Sequence, residues 1–268
     1  MKRLPTREVA KIWGCKHLPA PFDRACSEPT GEIWFEPPDE LPELLAKYIF
    51  ACDKLSIQLH PDDDQAEAAG LGRTGKEECW LVIAADGDAR LGVGLREAVS
   101  EEELRAASLD GRIEDLLEWH RVEAGDFLYI PAGTIHAIGA GVSLIEIQQN
   151  SDVTYRLYDY GRPRELHLDA ALPIARRGPH PAVLRRRIAA KGEDWLVEGP
   201  HFHLLRYDGP LSADASARLD GRAVLVLPVS GIVDGIEPGE CGSSTDSAGL
   251  HIPEGAQGLI AFASEALA

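Results

Sequence analysis

The chain has 268 residues, with 26 glycines, 18 prolines and a formal net charge of −17 at pH 7. This length suffices for one large β domain or two smaller ones, and the glycine and proline content predicts many turns. Because the chain is acidic and has no lysine–arginine run of the kind that follows a phosphate backbone, it is not expected to bind nucleic acid. Without an apolar stretch of about 18 residues, no transmembrane helix is predicted.

The first third of the chain is predicted to consist mostly of short strands. We expect strands at Lys11–Trp13 and Glu32–Glu36. In Glu40–Phe50 the apolar residues recur every three or four positions, which suits a helix or a helix that runs into a strand. Asp53–His60 alternates like a strand, and the following PDDDQAEAAG predicts a short helix whose carboxylates favour the positive end of its dipole.

The middle of the chain is predicted to be a β domain that carries a helical insertion near residues 96–120. Glu78–Ala85 has the pattern of a buried strand. The spacing Ser100-x-x-Glu103 is that of a capping box and predicts one helix, and a second is expected over Arg112–Trp119. Four strands are then expected, at Asp126–Ile130, near His136–Ile138, at Ser143–Gln148 and at Thr154–Tyr158.

The composition changes after about Arg164, which suggests two β domains. We predict a first domain over 1–165, a connector over 166–190 that contains RRGPHPAVLRRR, and a smaller C-terminal β domain over 191–268. Regularly spaced turn signals favour a sandwich or a barrel for the last domain. Two similar phrases, GDFLYIPAGTIHAI and GLHIPEGAQGLIAF, weakly suggest that the two domains are related.

The cysteines predict neither a disulfide framework nor a structural zinc site. Their number is odd and no two of them form a CxxC pair. Reduced thiols in the cytoplasm are the simplest interpretation, and the N-terminal segment lacks the apolar core of a signal peptide. The five are Cys15, Cys26, Cys52, Cys79 and Cys241.

The phrase GDFLYIPAGTIHAI at Gly125–Ile138 predicts a strand, a tight turn and a second strand that begins with His136. Gln58 and His60 are alternate residues of another predicted strand, so both can point to one interior spot. Glu78 begins a third strand. Imidazole and carboxylate ligands suit zinc and similar divalent ions, and a glutamine carbonyl is a weaker oxygen donor.

Each of these residues also has an ordinary structural interpretation. A single histidine on a strand is more often a hydrogen-bonded residue of the core or surface than a metal ligand. Glu78 follows Glu77 and could be a solvated charge. The pair His201-x-His203 imitates a ligand pair but has no supporting turn or carboxylate nearby.

Four ordered phrases resemble the type I phosphomannose isomerases, most closely the short bacterial form. They are LSIQLHPDD (Leu55–Asp63), GKEECW (Gly75–Trp80), GDFLYIPAGTIHAIG (Gly125–Gly139) and IEIQQNSDVTYRLYDYGR (Ile145–Arg162). The N-terminal KIWG and GEIWFEPP are also similar to that family, so the resemblance covers about residues 10–165. It implies a mainly β, cupin-type jelly-roll barrel, followed by a second, cupin-like domain.

The resemblance also implies one zinc ion per chain, held by Gln58, His60, Glu78 and His136. This chain departs from the general cupin motifs in three ways. Gln58 replaces the first histidine, Glu78 comes later than usual, and Ala140 stands where the second motif ends in asparagine. These departures are similar to those of phosphomannose isomerases and favour that family over a generic cupin.

Further roles are implied for residues that match the family's phrases. Glu146 is expected to be the general base, with Lys76 as its rival, and Arg156 is expected to stabilise negative charge and orient the substrate. Ser56 and Lys76 are expected to place the phosphate, and Asp152 is expected to contact the substrate and to orient Arg156. A surface ion pair is the alternative interpretation of Asp152 and Arg156.

The expected activity is a zinc-dependent aldose–ketose isomerisation of mannose 6-phosphate and fructose 6-phosphate through a cis-enediol. We expect a cytoplasmic monomer or weak homodimer whose partner is a sugar phosphate, not nucleic acid or a membrane. Two alternatives stay open, a non-catalytic cupin that binds sugar phosphates and an isomerase of unphosphorylated mannose. A metal-dependent oxygenase is disfavoured, since such iron sites usually have more histidine than Gln58 permits.

Overall fold

The structure, a computed structural model, describes residues 1–264 and is built from three antiparallel β-sheets, which confirms the mainly β class. The strands are β1 Lys2–Arg3, β2 Thr6–Leu18, β3 Arg24–Phe35, β4 Leu44–Ala51, β5 Ile57–Leu59, β6 Glu78–Ala85, β7 Arg90–Leu95, β8 Leu117–Arg121, β9 Asp126–Ile130, β10 His136–Ile138, β11 Val142–Gln149, β12 Tyr155–Tyr158, β13 Arg185–Arg187, β14 Asp194–Glu198, β15 Phe202–Asp208, β16 Val224–Ser230, β17 Gly242–Ser244 and β18 Gln257–Ala263. The α-helices are α1 Asp63–Ala68, α2 Glu101–Asp110, α3 Ile113–Leu116, α4 Leu168–Ala171 and α5 Ala213–Leu219.

Two of the sheets form a barrel around one apolar core. The seven-stranded sheet has the order β13-β9-β6-β11-β4-β3-β2, and the five-stranded sheet has the order β12-β5-β10-β7-β8. Side chains of both sheets meet between them, as Val82 and Leu144 of the larger sheet do with Leu91 and Val93 of the smaller one. The barrel interior is therefore lined by the inward faces of β4, β6 and β11 on one side and of β5 and β10 on the other.

The third sheet has the order β1-β17-β16-β18-β15-β14, so the first residues of the chain join the C-terminal strands. Apolar residues such as Leu204 and Leu225 of this sheet share a core with Phe35 and Ile145 of the barrel. In the segment that connects the barrel strands to β14 of the third sheet, β13 pairs with β9 and so extends the seven-stranded sheet. The domain limits at 165 and 190 stay predictions.

The helices α1 and α2 beside the barrel are both capped at their N-termini, α2 by the predicted Ser100. Asp62 caps α1 and forms a capping box with Gln65, and the Ser100 hydroxyl accepts the Glu103 N–H at the start of α2. The second predicted helix is shorter than Arg112–Trp119, because only α3 is helical and the chain continues directly into β8. Within the described residues, no helix is long and apolar enough to cross a membrane.

The predicted helical part of Glu40–Phe50 is wrong. Residues 39–43 form turns, and Leu44–Ala51 is the strand β4, in which all eight residues are buried. This strand lies between β3 and β11 and is covered on both faces. Such a strand needs apolar residues at nearly every position, so a helical spacing arises without a helix.

The prediction that the cysteines are all reduced is also wrong in this structure. Cys15 of β2 and Cys52, which follows β4, form a disulfide across a sequence separation of 37. Cys26, Cys79 and Cys241 are free. An odd number of cysteines leaves room for one pair, and the pairing depends on the approach of β2 to the end of β4, which the spacing along the chain does not reveal.

Candidate metal centre and pocket

The four predicted ligands meet where the two barrel sheets face each other. His136 opens β10 and is the direct cross-strand partner of Gln58 on β5. His60 follows β5, and Glu78 begins β6 in the opposite sheet. The structure therefore brings together side chains that are up to 78 residues apart in the chain.

Three of these residues form a compact buried cluster. The carboxylate oxygens of Glu78 lie 3.4 Å from His136 Nε2 and 3.6 Å from His60 Nε2. The ligand atoms of the three residues all lie within 4.8 Å of one another. Gln58 is next to them, with its Nε2 atom 3.4 Å from His136 Nε2 and its Oε1 atom accepting the Ser56 hydroxyl at 2.9 Å.

Both histidines are held so that Nε2 points to the cluster. His60 Nδ1 lies 2.8 Å from the Val153 carbonyl, and His136 Nδ1 lies 2.9 Å from the Thr134 carbonyl. Because a carbonyl can only accept, each Nδ1 carries the hydrogen and each Nε2 has a free lone pair. Hydrogen bonds of this kind orient metal-binding histidines in proteins.

The electrostatics favour neutral imidazoles, the form that binds metals. Burial lowers the pKa of His60 well below its ordinary value, and the charge of Lys76 lowers it further. Burial also lowers the pKa of His136, against the opposing effect of the Glu78 carboxylate. Two neutral nitrogens and one carboxylate in a buried site form a donor set that could hold a divalent metal ion.

The turn before His136 is hydrogen-bonded to the backbone of His60, the other histidine of the cluster. Gly133 has a positive φ of 77°, and its N–H donates to the His60 carbonyl at 2.7 Å. A Cβ atom at this position would lie 2.6 Å from the Ile174 carbonyl oxygen. Glycine is therefore required both by the backbone conformation and by the close approach of the segment that follows α4.

Lys76 and Glu146 lie beside the cluster and are both buried. The Lys76 ammonium contacts the Glu78 carboxylate and lies 3.2 Å from His60 Nε2. The Lys76 ammonium, a positive charge, therefore lies against two of the candidate metal ligands, His60 and Glu78. Lys76 Nζ also lies 3.6 Å from Glu146 Oε1, so the two candidate proton-transfer groups are neighbours.

Arg156 and Asp152 line the same pocket, a cavity of about 110 Å³, but they do not pair. In residues 1–264 no ion pair joins them, so the expected orientation of Arg156 by Asp152 is not seen. The buried Nε atom of Arg156 has no hydrogen-bond partner. Burial and the nearby Arg164 lower the pKa of Arg156, and the carboxylates of Asp159 and Glu165 oppose this effect without cancelling it.

Several pocket residues were not found from the sequence. Lys47 was hidden in the apolar run LLAKYIFA, although a lysine inside a buried strand is itself a signal of a polar partner. The others come from strands whose register the sequence does not specify, except for Arg164, which lies in the loop after β12. They are Lys11, Trp13, Glu32, Trp34, Trp80 and Arg164.

No family model matches the chain. The mannose-6-phosphate isomerase of Bacillus subtilis is 37% identical over 202 residues, which cover 72% of this chain and 63% of the relative. The mannose-6-phosphate isomerase of Streptococcus mutans is 40% identical over 172 residues, which cover 61% of this chain and 54% of the relative. The matches thus span less than two thirds of either relative's length.

Solved structures match nearly the whole chain. The crystal structure of mannose 6-phosphate isomerase from Bacillus subtilis superposes with a TM-score of 0.76 and 26% identity, and the match covers 97% of this chain and 98% of that one. A putative mannosephosphate isomerase from Archaeoglobus fulgidus, with a TM-score of 0.72, 18% identity and coverage of 98% and 97%, shares the fold. In sequence and in fold the chain is thus similar to bacterial mannose-6-phosphate isomerases, and the cupin fold that the resemblance implied is confirmed.

Proposed function

We propose that this protein interconverts mannose 6-phosphate and fructose 6-phosphate. The observation that carries the proposal is the buried His60–Glu78–His136 cluster, which opens into a pocket walled by Lys76, Glu146 and Arg156. Two bacterial relatives, 37% and 40% identical to this chain over 202 and 172 matched residues, are named for this activity. A binding protein without activity would have no need for proton-transfer groups beside the metal ligands.

One zinc ion per chain is the proposed cofactor, with Gln58, His60, Glu78 and His136 as its ligands. The two imidazoles and the carboxylate suit zinc, and a flip of the Gln58 amide would bring its carbonyl oxygen next to His136. When bound, a divalent ion polarises the carbonyl and the adjacent hydroxyl of a sugar. The positions that the protein leaves open would accept these two oxygens.

The proposed reaction passes through a cis-enediol. One proton moves between the two adjacent carbons, and a second proton moves between the oxygens that they carry. Glu146 is the proposed general base, because its carboxylate borders the cluster and a carboxylate accepts protons. Lys76 is the rival, but it contacts Glu78 and lies against His60 and Glu146. Those contacts support a role in orienting the reacting end of the substrate.

Arg156 is proposed to hold negative charge on the substrate. Its side chain is the pocket guanidinium without an acidic partner in the described part of the chain, and its planar fork of donors suits phosphate and enediolate oxygens. Ser56, Lys76 and Asp152 are proposed as further substrate contacts. A remote charged group bound in this way would position the reacting carbons.

The test is the isomerisation of mannose 6-phosphate by purified protein, with and without a chelator, and after zinc is restored. His136→Ala should lose both bound zinc and turnover, whereas His251→Ala, which changes an exposed histidine, should lose neither. Absence of turnover with any restored divalent metal would contradict the proposal. Faster turnover of free mannose would favour the unphosphorylated sugar as substrate.

A cytoplasmic location and a monomeric or weakly dimeric state are part of the same proposal. Fractionation of cells and light scattering of the purified protein test these two points separately from the activity.

A further inference from the structure

A row of four side chains crosses the seven-stranded sheet on its inward face. Trp34 on β3 is the cross-strand partner of Lys47 on β4, Lys47 is the partner of Glu146 on β11, and Glu146 is the partner of Trp80 on β6. Directly opposed residues in adjacent strands have Cβ atoms about 4.5–5.5 Å apart, so each member of the row contacts the next.

The Glu146 carboxylate contacts its neighbours on both sides of this row. Lys47 Nζ lies 2.7 Å from Glu146 Oε1, and Trp80 Nε1 donates to Glu146 Oε2 at 2.9 Å. Lys47, Glu146 and Trp80 are all buried. An ion pair at Oε1 and a hydrogen bond at Oε2 thus restrain the rotation of the carboxylate.

Lys47 is itself held in place. Its ammonium lies 5.1 Å from the centre of the Trp34 ring, on the side away from Glu146. Burial by itself lowers the pKa of Lys47, but the carboxylates of Glu146 and Glu32 raise it by more, to about 12. The side chain therefore stays a cation at neutral pH and balances the buried charge of Glu146.

Without Lys47, the carboxylate has one other cation within reach. Lys76 Nζ is 3.6 Å from the same Oε1 atom, and it is already in contact with Glu78. Loss of Lys47 would therefore let Glu146 turn towards Lys76 and the metal ligands. This rotation would move the carboxylate out of the orientation that Lys47 and Trp80 together define.

We infer that Lys47, together with Trp80, is a positioning residue that aims the Glu146 carboxylate at the substrate carbon from which the proton is taken. The inference rests on the proposed function. Lys47 acts through Glu146, so its removal should affect the proton transfer and leave substrate and metal binding nearly intact.

The test compares Lys47→Met, Glu146→Gln and the double variant by steady-state kinetics on mannose 6-phosphate. Loss of a general base costs about 10²–10⁴-fold in rate, and we expect Lys47→Met to lower kcat by at least about 30-fold. KM should change by less than about threefold and zinc content should not change, since neither depends on the aim of Glu146. The double variant should be no slower than Glu146→Gln, because the effect passes through one group.

Two further variants keep the result interpretable. Lys54→Met removes a lysine that pairs with Glu114 outside the pocket and should keep wild-type kcat. Trp80→Phe removes the N–H donor to Oε2 together with part of the buried ring, so it should also lower kcat without adding to Glu146→Gln, even where Lys47→Met does not fold.

The outcomes separate this inference from the proposed function. A wild-type protein that does not turn over the sugar phosphate with metal restored overturns both. If the wild type is active and Glu146→Gln is inactive, but Lys47→Met and Trp80→Phe keep kcat or raise only KM, the inference alone is overturned. A double variant much slower than Glu146→Gln shows that Lys47 acts on its own and has the same consequence.

Discussion

Reduction of the Cys15–Cys52 disulfide should lower the free energy of unfolding by about 4 kcal/mol, because the bond closes a loop and so restricts the unfolded chain. The bond closes a loop with a sequence separation of 37. The native geometry does not depend on the bond alone, because the Cys52 N–H donates to the Trp13 carbonyl at 2.9 Å. Reduced protein should therefore still fold, with a lower midpoint in urea.

The disulfide also fixes one wall of the candidate pocket. Ala10 and Cys15 are both in register with Thr30, so residues 11–14 bulge out of the ladder between β2 and β3. The bulge carries Lys11 and Trp13, which line the pocket. Once Cys15 is released, this wall should become more mobile, and KM for the sugar phosphate should rise more than kcat falls.

Urea unfolding followed with and without a dithiol reductant measures the free energy of unfolding. A thiol count in denaturant gives the control, with three free thiols before reduction and five after it. Cys26→Ala removes a free thiol and should leave the effect of the reductant unchanged. Five free thiols before reduction would refute the disulfide, and three thiols with an unchanged midpoint would refute the loop-closure reasoning.

Three other predictions concern the site. Gly133→Ala should lower zinc affinity and stability together, measured by competition with a chelator and by urea unfolding, because its Cβ would strike the Ile174 carbonyl and disturb the His60 backbone; zinc affinity unchanged in a folded variant would contradict this. Arg156→Ala should lose at least about tenfold in kcat/KM with full zinc content, whereas loss of zinc would assign it to the metal site. The pKa of Lys47 is raised from 10.5 to about 12, so its stabilising contribution is complete below pH 10.5 and is lost as the pH rises through about 12. The wild type should therefore lose stability relative to Lys47→Met across that window in urea titrations, and a constant difference would contradict the pairing with Glu146.

The parts of the site that the sequence predicted are those encoded by short-range geometry. Alternation places Gln58 and His60 on one strand end, and the Pro131–Gly133 turn requires residue types that can be read directly from the chain. The predicted helix cap at Ser100 is equally local. Each of these features depends on residues within a few positions of one another, so a single sequence contains the information.

The parts that the sequence did not predict depend on the pairing of distant strands. Lys47 and Glu146 are about 100 residues apart and meet only because β4 and β11 pair in one particular register, and a shift by one residue would turn both side chains to the other face. The Cys15–Cys52 pair depends in the same way on the approach of β2 to the end of β4. Register is a property of the whole sheet, and no local pattern in these strands specifies it.

A different signal in the sequence does indicate where such pairs occur. A buried lysine or glutamate costs several kcal/mol unless it finds an opposite charge, so a charged residue inside an apolar strand implies a partner. Lys47 in LLAKYIFA and Glu146 in VSLIEIQQ are such residues, and each strand is otherwise wholly buried. Since both strands face the interior of the same barrel, the simplest arrangement pairs the Lys47 ammonium with the Glu146 carboxylate. The interruptions of the apolar pattern therefore locate the charged face of the pocket, even though they do not specify its register.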